Sequence, residues 1–180
     1  MFKTLSKITI LLFLVLQGLF AASVNDGYLE YQKGNNQQAI EIFKKACDNG
    51  SSSGCYNLGL LYYNGTQIEQ EYFKAAEAFA KACDDGHDKA CYNLAYMYQN
   101  GFGVRLDPKK ALELYEKSCK AGIGASCYNM ANMYEGQGIP KDSFKAVDYL
   151  TMACNLNHSK ACYNLAMKYK NEDGVERDLE

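Results

Sequence analysis

The chain has 180 residues and a formal net charge of −2 at pH 7. That length is enough for one ordinary hydrophobic core or one short array of repeats. With 48% hydrophobic and 22% charged residues, long disorder and a collagen-like structure are excluded. The slightly acidic balance lacks the basic footprint of a nucleic-acid-binding protein, so no nucleic-acid partner is predicted.

Residues 1–22 have the organisation of a secretory signal peptide. Lys3 and Lys7 precede an apolar run over residues 8–16, and small residues follow at 21–23. At 1.5 Å per residue, this run is too short to cross roughly 30 Å of hydrocarbon, so we prefer a cleaved leader to a membrane anchor. The sequence therefore predicts a secreted or periplasmic protein that has no membrane segment once the leader is removed.

The remaining chain, residues 23–180, contains an internal repeat marked by its cysteines. The two cysteines of each pair are separated by seven residues, and successive pairs lie 36, 36 and 35 residues apart. A fixed period of this length is typical of solenoid proteins. The pairs are Cys47 and Cys55, Cys83 and Cys91, Cys119 and Cys127, and Cys154 and Cys162. The helix-pair units are predicted at residues 24–50, 51–86, 87–122, 123–157 and 158–180, the last of them incomplete.

Each repeat predicts two helices. Helix A starts near the second cysteine with Cys-Tyr-Asn and carries a tyrosine seven residues after that cysteine. Helix B carries an alanine eight residues, and a large apolar residue four residues, before the first cysteine. Both spacings place their residues on one helical face, and glycine or asparagine three residues past the first cysteine ends helix B. The predicted fold is therefore all-α, a right-handed α/α superhelical solenoid of helix pairs. The tyrosines that follow the second cysteines are expected to pack between repeats; they are Tyr56, Tyr92, Tyr128 and Tyr163.

The cysteines of each pair join the end of one helix B to the first turn of the next helix A. Antiparallel neighbours can bring the two Cα atoms to the ~5.5 Å that a disulfide needs. An even number of cysteines in an exported chain favours disulfides. Zinc is the alternative, but metal-binding cysteines usually lie two to four residues apart with histidines nearby. The repeat therefore predicts four local disulfides within the four pairs, and neither a metal nor a cofactor is expected.

These motifs resemble Sel1-like repeats, which are relatives of the tetratricopeptide repeat, and within them the Helicobacter cysteine-rich proteins. The similarity rests on the 36-residue period, on the helix A words at residues 55–62 and 91–98, and on the connection at residues 101–111. It extends over residues 24–180. The resemblance implies a repeat solenoid, binding of penicillin-like compounds and a β-lactamase activity.

Motifs that could carry such hydrolysis are not evident. The Ser-x-x-Lys spacing of serine β-lactamases does not occur in the sequence. Residues 50–54 match Gly-x-Ser-x-Gly, but they lie between two predicted helices, whereas a nucleophile elbow joins a strand to a helix. His87 and His158 occupy equivalent places at the entry to helix A, two repeats apart, so they cannot share one metal cluster. The sequence therefore assigns no catalytic residue.

The side of helix A that faces away from helix B is the candidate ligand-binding surface. At about 100° per residue, positions two, five and nine residues after the second cysteine lie on that side. In repeat solenoids the A helices line the concave face, which is the usual binding surface, and asparagine amides both donate and accept hydrogen bonds. The predicted ligand-binding residues are Asn57, Asn64, Asn93, Tyr96, Asn100, Asn129, Asn132 and Asn164.

Two functions remain open from the sequence. An exported scaffold would bind an extended peptide, a partner protein, or a cell-wall fragment or β-lactam that resembles peptidoglycan, on its concave face. The alternative is hydrolysis of penicillin or cephalosporin rings, which the family resemblance implies. The asparagines could also solvate a groove that holds no ligand. Because no nucleophile, base and oxyanion hole come together in the sequence, the scaffold is preferred.

Overall fold

A computed structural model describes residues 24–65 and 71–175. The predicted signal peptide, residues 1–22, lies outside the described residues. Every regular element in the described part is a helix, and none of these helices has the length and apolar character that crossing a membrane requires. The helices are α1 (24–32), α2 (Asn36–Asp48), α3 (Ser52–Asn64), α4 (Tyr72–Asp84), α5 (Asp88–Asn100), α6 (Pro108–Lys120), α7 (Gly124–Tyr134), α8 (Ser143–Asn155) and α9 (Ser159–Lys170).

The described residues form two compact units, which divide between Asp85 and Gly86. The first unit contains α1 to α4, and the second contains α5 to α9. Within each unit, helices that are adjacent in sequence pack against each other, as α3 and α4 do in the first unit and α7 and α8 in the second. Helices α3, α5, α7 and α9 are the predicted A helices, and α2, α4, α6 and α8 are the B helices. The prediction of an all-α fold built from helix pairs is confirmed.

The residues that define helix B form the cores of the two units. Alanine lets a neighbouring helix approach closely, and the large residue one turn later fills the space at the contact. The alanines eight residues before the first cysteines are fully buried; they are Ala39, Ala75, Ala111 and Ala146. The large residues four positions later are also buried; they are Phe43, Phe79, Tyr115 and Leu150. The 3.6-residue period read from the sequence thus gives the packing face.

Within each unit, disulfides connect B helices to the A helices that follow them. Three have Cα separations of 4.4, 5.0 and 4.6 Å; they are Cys47–Cys55, Cys119–Cys127 and Cys154–Cys162. Cys83 and Cys91 are also disulfide-bonded, and no cysteine in the described residues is free. The prediction of disulfides is confirmed, and such bonds are typical of proteins from oxidising compartments. The residue three positions after the first cysteine has a positive φ in every repeat: Gly50, Gly86, Gly122 and Asn157.

Helix A begins with a side-chain cap in three of the repeats. Ser51 Oγ accepts a hydrogen bond from the backbone N–H of Gly54 at the start of α3. At the equivalent place before α5 and α9, His87 Nδ1 and His158 Nδ1 each accept a backbone N–H at 3.3 Å. A ring nitrogen can accept this bond only when it carries no proton. The two histidines therefore cap helices, which is a structural role, and the caps require the neutral imidazole.

Replacing His87 with serine is expected to reduce the dependence of stability on pH. Burial lowers the pKa of His87 below its ordinary value of 6.5, because the charged ring loses more hydration than the neutral ring. The folded state therefore holds this proton less tightly than the unfolded state. The stabilisation is fully present above about pH 6.5 and is lost as the pH falls below that value. Serine, which caps α3, does not titrate in this range.

Urea unfolding at about pH 7.5 and about pH 5 measures this difference. We expect the free energy of unfolding to fall less for His87→Ser than for the unchanged chain. An equal fall in both proteins would contradict the capping role of the neutral ring.

Candidate functional site

The eight predicted ligand-binding residues occupy A helices but lie in different environments. In the first unit, Asn57 is half-buried on α3, and Asn64 is exposed at the end of that helix. In the second unit, Asn93 is half-buried on α5, whereas Tyr96 and Asn100 are exposed. The remaining three residues, Asn129, Asn132 and Asn164, are half-buried on α7 and α9.

The exposed residues at the end of α5 have local contacts. Asn100 Nδ2 donates a hydrogen bond of 2.8 Å to the backbone carbonyl of Tyr96 in the same helix. The Tyr96 ring lies 6.0 Å from the ring of Phe102, measured between centroids. These contacts orient both side chains along the helix end.

Asn129 takes part in a hydrogen-bond network inside the second unit. Its Nδ2 donates a bond of 3.0 Å to the hydroxyl of Tyr115, and that hydroxyl donates a bond of 2.9 Å to Gln99 Oε1. Because Tyr115 is fully buried, its hydroxyl needs partners within the protein. One amide of the predicted binding row thus supports a core tyrosine.

The tyrosines after the second cysteines are predicted to pack between repeats, and this is confirmed for Tyr128, whose ring lies 4.6 Å from that of His158 in the next predicted unit. Tyr56 and Tyr92 contact aromatic rings within their own predicted units instead, at centroid distances of 6.0 Å from Phe79 and 5.9 Å from Tyr115. For Tyr163 the prediction of packing is wrong, because this side chain is 67% exposed. Among the described residues no helix follows α9, so no ring covers Tyr163.

A pocket of about 210 Å³ lies among α7, α8 and α9 in the second unit. Ala131 and Leu150 give it an apolar floor, and two predicted residues, Asn132 and Asn164, line it. Sites for drug-sized ligands usually have volumes of ≈ 300–1,000 Å³, so this pocket fits a group about as large as one side chain. The other lining residues are Glu135, Met167, Lys168, Asn171 and Asp173.

Balanced charges line one side of the pocket. Lys168 Nζ lies 2.5 Å from Glu135 Oε1 and 2.6 Å from Asp173 Oδ2. Lys141 Nζ lies 3.4 Å from Glu135 Oε2 and 3.8 Å from Asp173 Oδ2. Burial alone would lower the pKa of Lys168, but the contacts with Asp173 and Glu135 outweigh it and raise the pKa above its ordinary value. Lys168 therefore stays protonated, and these two lysines and two carboxylates compensate each other.

Sequence reasoning missed this charged cluster, although a signal for it was present. Lys168 is the sixth residue after the second cysteine of its repeat. The residues at that position in the three preceding A helices are apolar and buried; they are Leu61, Met97 and Met133. A lysine at an apolar repeat position indicates that its charge has partners, and the structure supplies them as Glu135 and Asp173.

The pocket offers groups for binding, and none of its lining residues is a serine, a histidine or a cysteine. Elsewhere in the second unit, the hydroxyls of Ser118 and Ser126 form a hydrogen bond with each other, and both residues are fully buried. The described residues contain no group of three or more His, Cys, Asp and Glu side chains that could hold a metal ion. The arrangement is suited to holding a ligand by shape, amides and a charged side chain.

Comparison with known proteins identifies a family whose repeat model matches this chain. The Sel1 repeat model matches residues 22–51, 52–87, 88–123, 124–158 and 159–180. A crystal structure of a Sel1 repeat protein from Oxalobacter formigenes is 30% identical with a TM-score of 0.81, and the match covers 90% of this chain and 69% of that chain. A structure of c5321, a protective antigen with the SLR fold from uropathogenic Escherichia coli, is 26% identical with a TM-score of 0.76, covering 86% and 34% of the two chains.

Among curated proteins, the chain is similar to the Helicobacter pylori (strain J99 / ATCC 700824) protein named "Putative beta-lactamase HcpC". The identity is 39% over 77 residues, which are 40% of this chain and 27% of HcpC. The match thus spans about a quarter of the length of HcpC. Because the repeat model extends over residues 22–180 and a Sel1 repeat protein has the same fold, the chain belongs to the Sel1 repeat family and has the architecture of a protein-interaction scaffold.

Proposed function

We propose that this protein is an exported scaffold that binds an extended segment of a partner protein along the A helices of its second unit, with the pocket among α7, α8 and α9 as the anchor site. One observation carries the proposal: the amides of Asn132 and Asn164 line a pocket whose floor, Ala131 and Leu150, is apolar. Amides on an A helix can bond the backbone of an extended chain, while the pocket takes one of its side chains.

Export is supported by two independent features of the chain. The first is the basic and apolar pattern of residues 1–22, which is typical of a secretory leader. The second is the oxidised state of all eight cysteines, since disulfides persist in secreted and periplasmic proteins. The partner segment would accordingly be met in the periplasm or outside the cell.

A cell-wall stem peptide or a β-lactam would bind to the same amides, because each resembles a short peptide backbone. The name of HcpC supports a β-lactamase activity as the alternative function. The residues that line the pocket include no serine, and therefore not the nucleophile of a serine β-lactamase.

Replacing both Asn132 and Asn164 with alanine is expected to weaken peptide binding at least tenfold. A lost hydrogen bond costs about 1 kcal/mol on average, so two such losses cost about 2 kcal/mol, which exceeds the 1.4 kcal/mol that corresponds to a factor of ten. The oxidised chain would be used to select peptides from a random library, and affinity would be measured by fluorescence anisotropy. Asn155→Ala is the matched control, because Asn155 is an exposed asparagine on helix B of the same unit.

The same proteins would be incubated with a chromogenic cephalosporin and compared with a heat-denatured sample. Peptide binding that is lost in the double variant and kept in Asn155→Ala supports the scaffold. Turnover above the denatured control that disappears in the double variant would favour the hydrolase. Peptide affinity that survives the loss of both amides would contradict the proposed anchor site.

A further inference from the structure

The pocket exists where one repeat departs from the others. Four residues before the first cysteine, helix B has an aromatic ring in three repeats, and only α8 has an aliphatic residue, Leu150, at that place. Leucine lacks the ring that fills this space elsewhere. The aromatic residues at the equivalent position are Phe43, Phe79 and Tyr115.

The repeat that precedes the pocket shows how the ring is held. The buried side chain of Tyr115 on α6 places its hydroxyl between Gln99 of α5 and Asn129 of α7. The hydroxyl donates to Gln99 Oε1 and accepts from Asn129 Nδ2, so both of its hydrogen-bonding functions are satisfied.

The polar partners of that hydroxyl have counterparts in the pocket. Glu135 stands at the repeat position of Gln99, eight residues after the second cysteine, and Asn164 stands at that of Asn129, two residues after it. Both residues line the pocket, above the position where Leu150 replaces the ring. Glu135 Oε1 is buried and lies 2.5 Å from Lys168 Nζ, and a carboxylate oxygen in an ion pair can accept a further hydrogen bond. Asn164 Nδ2 makes one long bond of 3.4 Å, to the hydroxyl of Tyr128, and its second N–H remains available for another.

We propose that this pocket binds the phenol side chain of a tyrosine supplied by the partner segment; this inference rests on the proposed function. The phenol hydroxyl donates to Glu135 and accepts from Asn164, as the hydroxyl of Tyr115 does with its own partners. The volume of about 210 Å³ accommodates one aromatic ring. Since a charged acceptor strengthens the bond to a hydroxyl, tyrosine is favoured over phenylalanine.

The direct probe is p-cresol, which is the tyrosine side chain by itself, with toluene as the analogue that lacks the hydroxyl. Titration of the full oxidised chain, followed by amide NMR shifts, is expected to show millimolar binding of p-cresol at α7, α8 and α9, which corresponds to about 0.5 kcal/mol per heavy atom. Toluene is expected to bind at least fivefold more weakly. Toluene binding as tight as p-cresol binding would overturn the role of Glu135 and Asn164.

Leu150→Tyr is expected to fill the pocket from within the chain and to abolish p-cresol binding. Phe144→Tyr is the matched control, because it adds a phenol to an exposed position on the same helix and leaves the pocket open.

A second variant, Tyr115→Leu, tests the same inference if Leu150→Tyr does not fold. Tyr115→Leu is expected to open an equivalent pocket in the preceding repeat, lower the melting temperature and give a second p-cresol site. Binding of p-cresol that persists in folded Leu150→Tyr, or no new site in Tyr115→Leu, would overturn the inference.

The sequences and affinities of peptides that are selected for binding to this protein can distinguish a failure of this inference from a failure of the proposed function. A tyrosine whose change to phenylalanine or alanine costs at least tenfold in affinity supports both. Peptides that bind without any tyrosine, and equally well to Leu150→Tyr, would overturn the tyrosine pocket and leave the scaffold standing. If p-cresol binds and Leu150→Tyr abolishes that binding, but no peptide is selected, the scaffold proposal fails and the phenol pocket stands.

Discussion

Reduction of the disulfides is expected to unfold the helix pairs under conditions in which the oxidised protein remains folded. Each bond closes a short loop, with bonded cysteines eight positions apart in the sequence, and contributes roughly 2 kcal/mol by limiting the unfolded chain. Domains of this size have a free energy of unfolding of ≈ 5–15 kcal/mol. The disulfides together therefore account for a large share of the stability. Circular dichroism during heating, with and without dithiothreitol, would show the loss as a lower melting temperature.

A single disulfide can be tested against a non-covalent cross-link in the same hairpin. Replacing Cys119 and Cys127 with alanine is expected to lower the free energy of unfolding by about 2 kcal/mol. Ser118 and Ser126, one residue before these cysteines, join the same two helices through a buried hydrogen bond. Replacing both serines with alanine removes donor and acceptor together and should cost far less. If urea unfolding shows that the two double variants lose equal free energies of unfolding, the disulfide stabilises this hairpin no more than the hydrogen bond does.

Gly59→Ala is expected to lower the stability of the first unit by about 1–2 kcal/mol. A Cβ atom at residue 59 would lie 2.6 Å from the ring of Phe79, which is fully buried. Overpacking of this kind costs typically 1–3 kcal/mol, and the better helix propensity of alanine returns at most about 1 kcal/mol. Urea unfolding of the two proteins measures the net difference.

Comparison between repeats suggests a second substitution that should relieve the overpacking in Gly59→Ala. In the second unit, Ala131 and Leu150 occupy the positions that Gly59 and Phe79 occupy in the first. Adding Phe79→Leu to Gly59→Ala should therefore recover part of the loss, because the smaller side chain makes room for the methyl group. A double-mutant cycle would report this as a favourable coupling energy. Strictly additive losses would show that the glycine is not required by the ring.

How much could be predicted from the sequence is clearest at the cysteines and alanines. The spacing of Cys119 and Cys127 predicts a helical hairpin closed by a disulfide, and the structure has that bond. The alanine of α6, Ala111, and the large residue after it, Tyr115, are predicted on one face and are both fully buried. These features depend on intervals along one chain segment, and a helical period converts such intervals directly into a face.

The candidate site could be predicted only in part. The repeat placed Asn132 and Asn164 on helix A, and both line the pocket; it placed Asn129 there too, yet Asn129 bonds to the buried Tyr115. The angular position of a residue on its helix does not reveal which groups on the neighbouring helices compete for its hydrogen bonds.

The sequence by itself determined the helix pairs, their boundaries and the cysteine bridges, because each depends on local spacing, turn residues and short loops. Only the tertiary structure decided where a cavity lies and which charges surround it. The pocket arises because Leu150 is smaller than the rings at equivalent places, while Glu135 comes from the end of α7 and Asn164 and Lys168 from α9. A cavity depends on the volumes of side chains that meet across three helices, and that meeting is fixed by packing rather than by sequence interval.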